Sequence, residues 1–227
     1  MNSFFFSHFL LAHFFVDYPF QTDKLFETKI KKIEGVLLHS TILLIFLLLL
    51  SIPYTLNPLV FFSCFFLALL HFFQDQIKIY LTKKMGGENF FYFLGDQILH
   101  LFFIFIFSFL PLPKVIYENK GFLKLYFDPF YSYLIVFLIV VTYFSWILIH
   151  SIYNTFLKKE ELIKGFWKYY GYFERLFAFF ISFFVPFLFF ISYFFLFPRF
   201  LKKKRLFEGF LGISLAVFLG ILLRWIK

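Results

Sequence analysis

Seven apolar stretches follow one another along the chain, near residues 3–20, 35–53, 57–77, 92–112, 129–157, 173–198 and 206–226. This succession limits the fold more than any other feature. Each stretch approaches the roughly 20 residues that a helix needs to cross about 30 Å of hydrocarbon. In that medium every backbone polar group must be bonded within its own segment, so helices are the expected element. Composition agrees: 62% of the residues are hydrophobic and 15% charged, against about 25% charged in soluble domains. The expected fold is an all-α polytopic transmembrane bundle of about seven spans, and the bilayer, not nucleic acid, is the expected partner. The connections are short and basic, so the 227 residues read as one membrane domain. Four helices lie in 1–110 and three in 111–227.

The first stretch has no Lys or Arg before it and no small-residue cleavage pattern, so it is expected to remain as the first helix. Cys64 is the only cysteine, which excludes an intramolecular disulfide and a cysteine-based zinc cluster. A metal would need His and carboxylates. The 46 Phe residues are spread through every span and read as lipid-facing bulk.

Loop charge gives an orientation. One face carries Lys24, Lys29, Lys31, Lys32, Lys78, Lys83, Lys84, Lys158, Lys159, Lys164, Lys168, Arg175, Arg224 and Lys227, fourteen of the 22 Lys and Arg. The other carries Lys114, Lys120, Lys124, Arg199, Lys202, Lys203, Lys204 and Arg205. Positive residues favour the cytoplasm, so the first face is expected inside and the N-terminus outside. The cluster at 199–205 opposes this unless 173–198, interrupted at Pro186, enters and leaves by one face.

Charged groups within a membrane cost about 2.5–3.5 kcal/mol on insertion scales, so they mark functional positions. Here they gather at one end of the first four helices: His13 and Asp17, His39, His71 and Asp75, Asp96 and His100. Residues i and i+4 share a helix face, so His13/Asp17, His71/Asp75 and Asp96/His100 each form a stripe able to offer two ligands. Gln21, Lys78 and Gln97 extend these stripes as supporting donors. HFFxD occurs at both 13–17 and 71–75. A two-helix internal repeat within 1–110 explains that echo; chance in a Phe-rich chain explains it equally well. Imidazole and carboxylate suit Zn, Mn or Fe, and a divalent ion would supply charge for three desolvated aspartates. The bland reading is that the pairs only satisfy one another. His8 and His150 read as such structural histidines.

These residues resemble a family. His13-x3-Asp17-x3-Gln21-Thr22, His39, His71-Phe72-x2-Asp75-x2-Lys78 and Asp96-Gln97-x2-His100 look like the bacterial membrane proteins catalogued as domain of unknown function 3307. Gly171-x2-Glu174-Arg175, the Arg199 region and Glu208-x3-Gly212 extend the likeness. The resemblance implies a bacterial inner-membrane location but no reaction. More loosely, the pattern resembles membrane proteins described as metal-dependent hydrolases.

Two functions are therefore expected from different classes. In a metal-dependent hydrolase of a lipid-linked or phosphorylated substrate, the four histidines and three aspartates hold metal, and one of Asp17, Asp75 or Asp96 acts as general base. Lys78, and Arg175 beside Glu174, would then attract an anionic headgroup. In a proton- or cation-coupled carrier the same groups relay the ion; in an assembly subunit they hold helices together. GxxxxGK[ST], GxSxG and HExxH do not occur, so nucleotide-binding, serine-hydrolase and zinc-protease signatures are missing.

Overall fold

A computed structural model describes residues 1–84, 89–114, 121–157, 166–201 and 206–226. Lys120, Lys158, Lys159, Lys164, Lys202 to Arg205 and Lys227, used for the orientation, lie outside the described residues. Among the described residues there is no strand. In chain order the helices are α1 (Ser3–Asp17), α2 (Asp23–Lys31), α3 (Ile33–Leu49), α4 (Pro58–Lys84), α5 (Phe90–Ser108), α6 (Phe122–Phe127), α7 (Pro129–Ile139), α8 (Ser145–Leu157), α9 (Phe166–Phe184), α10 (Phe197–Leu201) and α11 (Leu206–Ile226). The chain forms two compact units, Met1–Val136 and Phe137–Lys227.

In the first unit α1 packs on α3 and α5, and α4 packs on α3 and α5. The helices start where short polar side chains satisfy open N–H groups. Asn2 accepts from Phe5, Thr22 from Leu25 and Asn89 from Tyr92. The core is aromatic and aliphatic, with Phe4, Phe5 and Phe9 of α1 buried against Leu43 and Leu47 of α3 and Val60 and Cys64 of α4. Its outside is apolar as well: Leu37, Leu38, Ile45 and Leu49 of α3 are exposed, while His39 and Ser40 of the same helix are buried. A helix with polar groups inward and aliphatic groups outward is stable where the surroundings are themselves apolar.

Among the described residues four helical runs are long and apolar enough to cross a membrane: Pro58–Lys84, Phe90–Ser108, Pro129–Phe156 and Leu206–Ile226. Ser3–Asp17, Ile33–Leu49 and Pro186–Phe200 are apolar but shorter. The 15 residues of α1 rise only roughly 22 Å at the α-helical pitch. The helical bundle stands, and among the described residues four of the expected runs reach spanning length as continuous helices. Two boundaries also differ from expectation. Residues 21–34, read as a connection, contain α2, with Asp23 in its first turn and Lys29 and Lys31 in its last, each favourable to the helix dipole. Helix α4 continues to Lys84, so Lys78 stands on a helix.

In the second unit a π-helical turn, Val140–Phe144, leads into α8, and α9 packs on α11 and on the π turn. The expected span 173–198 is interrupted: α9 ends at Phe184 and the chain winds as a 3-10 helix from Pro186 to Leu196. Pro186 has no N–H for the preceding turn and clashes with its carbonyl, which stops the α-helix. Gly220 lets α11 approach α9, since a Cβ there would meet Ser182 Cβ at 3.0 Å and Phe183 N at 3.2 Å.

Candidate functional site

The two helical periodicities bring all seven predicted ligands of the first unit inward. His13, Asp17, His39, His71, Asp75, Asp96 and His100 are all buried. Helices α1, α3, α4 and α5 each contribute, because the polar residues lie on the faces that pack together while their lipophilic neighbours face out. The imidazoles touch: ring centres lie 4.3 Å apart for His71 and His100, 4.9 Å for His13 and His100, and 5.1 Å for His39 and His71.

The closest set joins the two HFFxD stripes. Asp17 Oδ1 lies 3.1 Å from His39 Nε2 and 3.4 Å from His71 Nε2. Asp75 Oδ2 lies 3.3 Å from His71 Nε2 and 3.7 Å from His39 Nε2. Each carboxylate thus faces both imidazoles. His39 Nε2 and Asp17 Oδ1 are hydrogen-bonded, while His71 Nε2 and Asp75 Oδ2 stand this close without hydrogen-bond geometry.

Among the described residues three groups have ligand atoms within 4.8 Å of one another, as one metal ion requires: Asp17, His39 and His71; His13, His71 and His100; and Asp75, Asp96 and His100. His100 Nε2 lies 3.2 Å from Asp96 Oδ1, and His13 Nδ1 lies 3.8 Å from Asp17 Oδ2. His13 Nε2 and His100 Nε2 are buried without a hydrogen bond. A cavity of about 20 Å³ lies beside His13, His71, His100 and Gln74. That volume admits one water or ion, since a single water needs about 10–15 Å³ on the same measure.

The supporting residues lie around this cluster. Lys78 Nζ and Gln97 Nε2 both donate to Asp96 Oδ2, at 3.1 and 3.2 Å. Gln21 Oε1 accepts from Lys29 Nζ at 3.3 Å. Glu174 and Arg175 belong to the second unit and have partners there: Arg199 forks onto Glu174 at 2.6–3.0 Å, and Arg175 donates to the Val141 and Thr142 carbonyls. Their assignment to a headgroup site is thus not something the cluster's geometry includes. His8 donates Nδ1–H to the Phe4 carbonyl at 2.8 Å and stacks on the Phe4 ring, as a structural histidine does.

Two residues of the cluster escaped the sequence reading. Lys29 was counted only as a loop charge, yet its Nζ lies 2.6 Å from Asp75 Oδ2 and is buried. Tyr18 donates its hydroxyl to Gln97 Oε1 at 2.9 Å. Lys29 had a signal: on a helix begun at Thr22, Leu25 and Lys29 share one face at i and i+4. Tyr18 had none.

An all-helical chain with membrane-length apolar helices and buried His/Asp groups able to hold a metal is the class these observations define. The chain belongs to the family described as "Protein of unknown function (DUF3307)", whose profile matches residues 5–123. The match takes in every ligand of the cluster and stops before Glu174 and Arg175. No curated protein and no solved structure matches the chain.

Proposed function

We propose that the protein is a multi-pass protein of the bacterial inner membrane, N-terminus outside, and a metal-dependent hydrolase of a lipid-linked or phosphorylated substrate at the cytoplasmic leaflet. One observation carries the reading. Asp17, His39 and His71 present ligand atoms that all lie within 4.8 Å of one another, with Asp75 Oδ2 3.3 Å from His71 Nε2 and 3.7 Å from His39 Nε2, a gathering of imidazole and carboxylate that suits a Zn, Mn or Fe ion. A metal held by these residues would supply an activated water for hydrolysis. Asp96, held by Lys78, Gln97 and His100, is placed as general base. Lys78, only partly buried, supplies the positive charge that attracts an anionic headgroup.

A second reading, a proton- or cation-coupled carrier, is favoured by the cavity, which admits an ion but no substrate. Purified protein in liposomes separates the two. Hydrolysis of a phosphorylated lipid, lost in Asp96→Asn and without cation flux, supports the enzyme. Flux lost in Asp75→Asn, without lipid turnover, overturns it in favour of the carrier.

A further inference from the structure

Helix α2 has nine residues, and the only one of them that is buried is a lysine. The rest of the helix is exposed or half-buried, with Phe26 and Ile30 open at its surface. A short helix normally buries its apolar stripe; α2 instead delivers an ammonium group into a cluster of carboxylates and imidazoles. Its placement is close-fitted. Gly35, at the start of α3, has no room for a Cβ, which would run into the backbone of Thr28 and Lys29.

The ammonium sits where a cation belongs. Lys29 Nζ lies 2.6 Å from Asp75 Oδ2, and that oxygen makes no hydrogen bond, so the contact is that of a point charge pressed against an oxygen. Gln21 Oε1, 3.3 Å away, completes an oxygen-lined seat. Asp75 is also one of the candidate metal ligands, grouped with Asp96 and His100. Charge sharpens the conflict. Asp17, Asp75 and Asp96 bring three negative charges to the whole set, and Lys29 and Lys78 return two. A divalent ion balances the set when Lys29 is absent and leaves an excess positive charge when it is present, a costly arrangement in a buried site.

We propose that Lys29 is a tethered substitute for the metal: its ammonium and a divalent ion are alternative partners of Asp75, and α2 carries the ammonium out of the cluster when the ion binds. This rests on the metal reading above, and the test keeps the two apart. The full chain, stripped with chelator in detergent, is titrated with Zn²⁺ as wild type, Lys29→Gln, Lys29→Met and Lys29→Arg, with folding checked by circular dichroism. Lys29→Gln and Lys29→Met should bind Zn²⁺ at least tenfold more tightly than wild type, and Lys29→Arg within about twofold. Hydrogen exchange in residues 23–31 should rise when wild type takes up Zn²⁺. Binding that is equal or weaker in both neutral variants, with wild type still binding, overturns the proposal and leaves the metal reading standing. Binding by the neutral variants but not by wild type supports the substitution and overturns a resident metal. Absence of binding in all four overturns both. If one neutral variant fails to fold, the other and the exchange measurement decide.

Discussion

The two units each bury a set of charged side chains, and the sets differ in what their polar atoms point at. In the second unit the guanidinium of Arg199 forks onto the carboxylate of Glu174, and Arg175 is directed at two backbone carbonyls of the π turn. Glu174, Glu208, Arg175 and Arg199 are buried and their formal charges cancel. In the first unit Asp17, Asp75 and Asp96 outnumber Lys29 and Lys78 by one, and buried His13, His71 and His100 nitrogens stand close to other ligand atoms without a hydrogen bond. Planar forks and turn carbonyls satisfy one another and hold a fold. Unmatched charge and converging lone pairs need a further cation or proton. The contrast supports the proposed binding task of the first unit.

The largest effect that sharpens this contrast comes from the second unit. Glu174→Ala leaves Arg199 buried without its carboxylate and should cost about 3–5 kcal/mol of stability, read by thermal unfolding in detergent, with metal content unchanged. Loss of metal in that variant would break the distinction. His39→Ala should do the reverse. Its metal affinity should fall by more than the roughly 10–100-fold typical of residues that only support a ligand, measured by titration after chelation, while the metal-free protein still unfolds cooperatively. Tyr18→Phe removes the hydroxyl that donates to Gln97, and should lower stability by about 0.5–1.5 kcal/mol and metal affinity about tenfold. Lys31→Ala, which breaks a pair with Glu27 whose side chains are 69% and 68% exposed, should change stability by less than about 0.5 kcal/mol. A larger loss there would mean that α2 is held by its surface and not by Lys29.

Much of the cluster was legible because it obeys helical spacing. His13 with Asp17, His71 with Asp75, and Asp96 with His100 are i,i+4 pairs on otherwise apolar helices, and a desolvated polar pair has few places to go but inward. His39 was legible only as the lone imidazole of its stretch. What spacing did not give was the pairing across helices: that His71 faces Asp17 as closely as Asp75 depends on how α1 and α4 meet, which no local pattern encodes. Lys29 was missed because residues 21–34 looked like a charged loop, and a lysine on a polar segment is ordinarily solvated. The break at Pro186 was legible from the proline; the 3-10 path of Pro186–Leu196 was not, since runs of that type usually end after 3–4 residues. The lengths of α1 and α3 fell short of their apolar stretches because Tyr18-Pro19 and Ser51-Ile52-Pro53 end the helices before the hydrophobicity ends.

The central claim is that the buried His/Asp cluster of the first unit, with His71 at its centre, holds a divalent ion. Elemental analysis of the full chain, purified in detergent without added metal, tests it most directly. The account predicts about one equivalent of Zn, Mn or Fe per chain in the wild type and a loss of it in a folded His71→Ala variant. Wild-type protein that is folded yet carries no stoichiometric metal, and takes up none when Zn²⁺ is supplied, would contradict it.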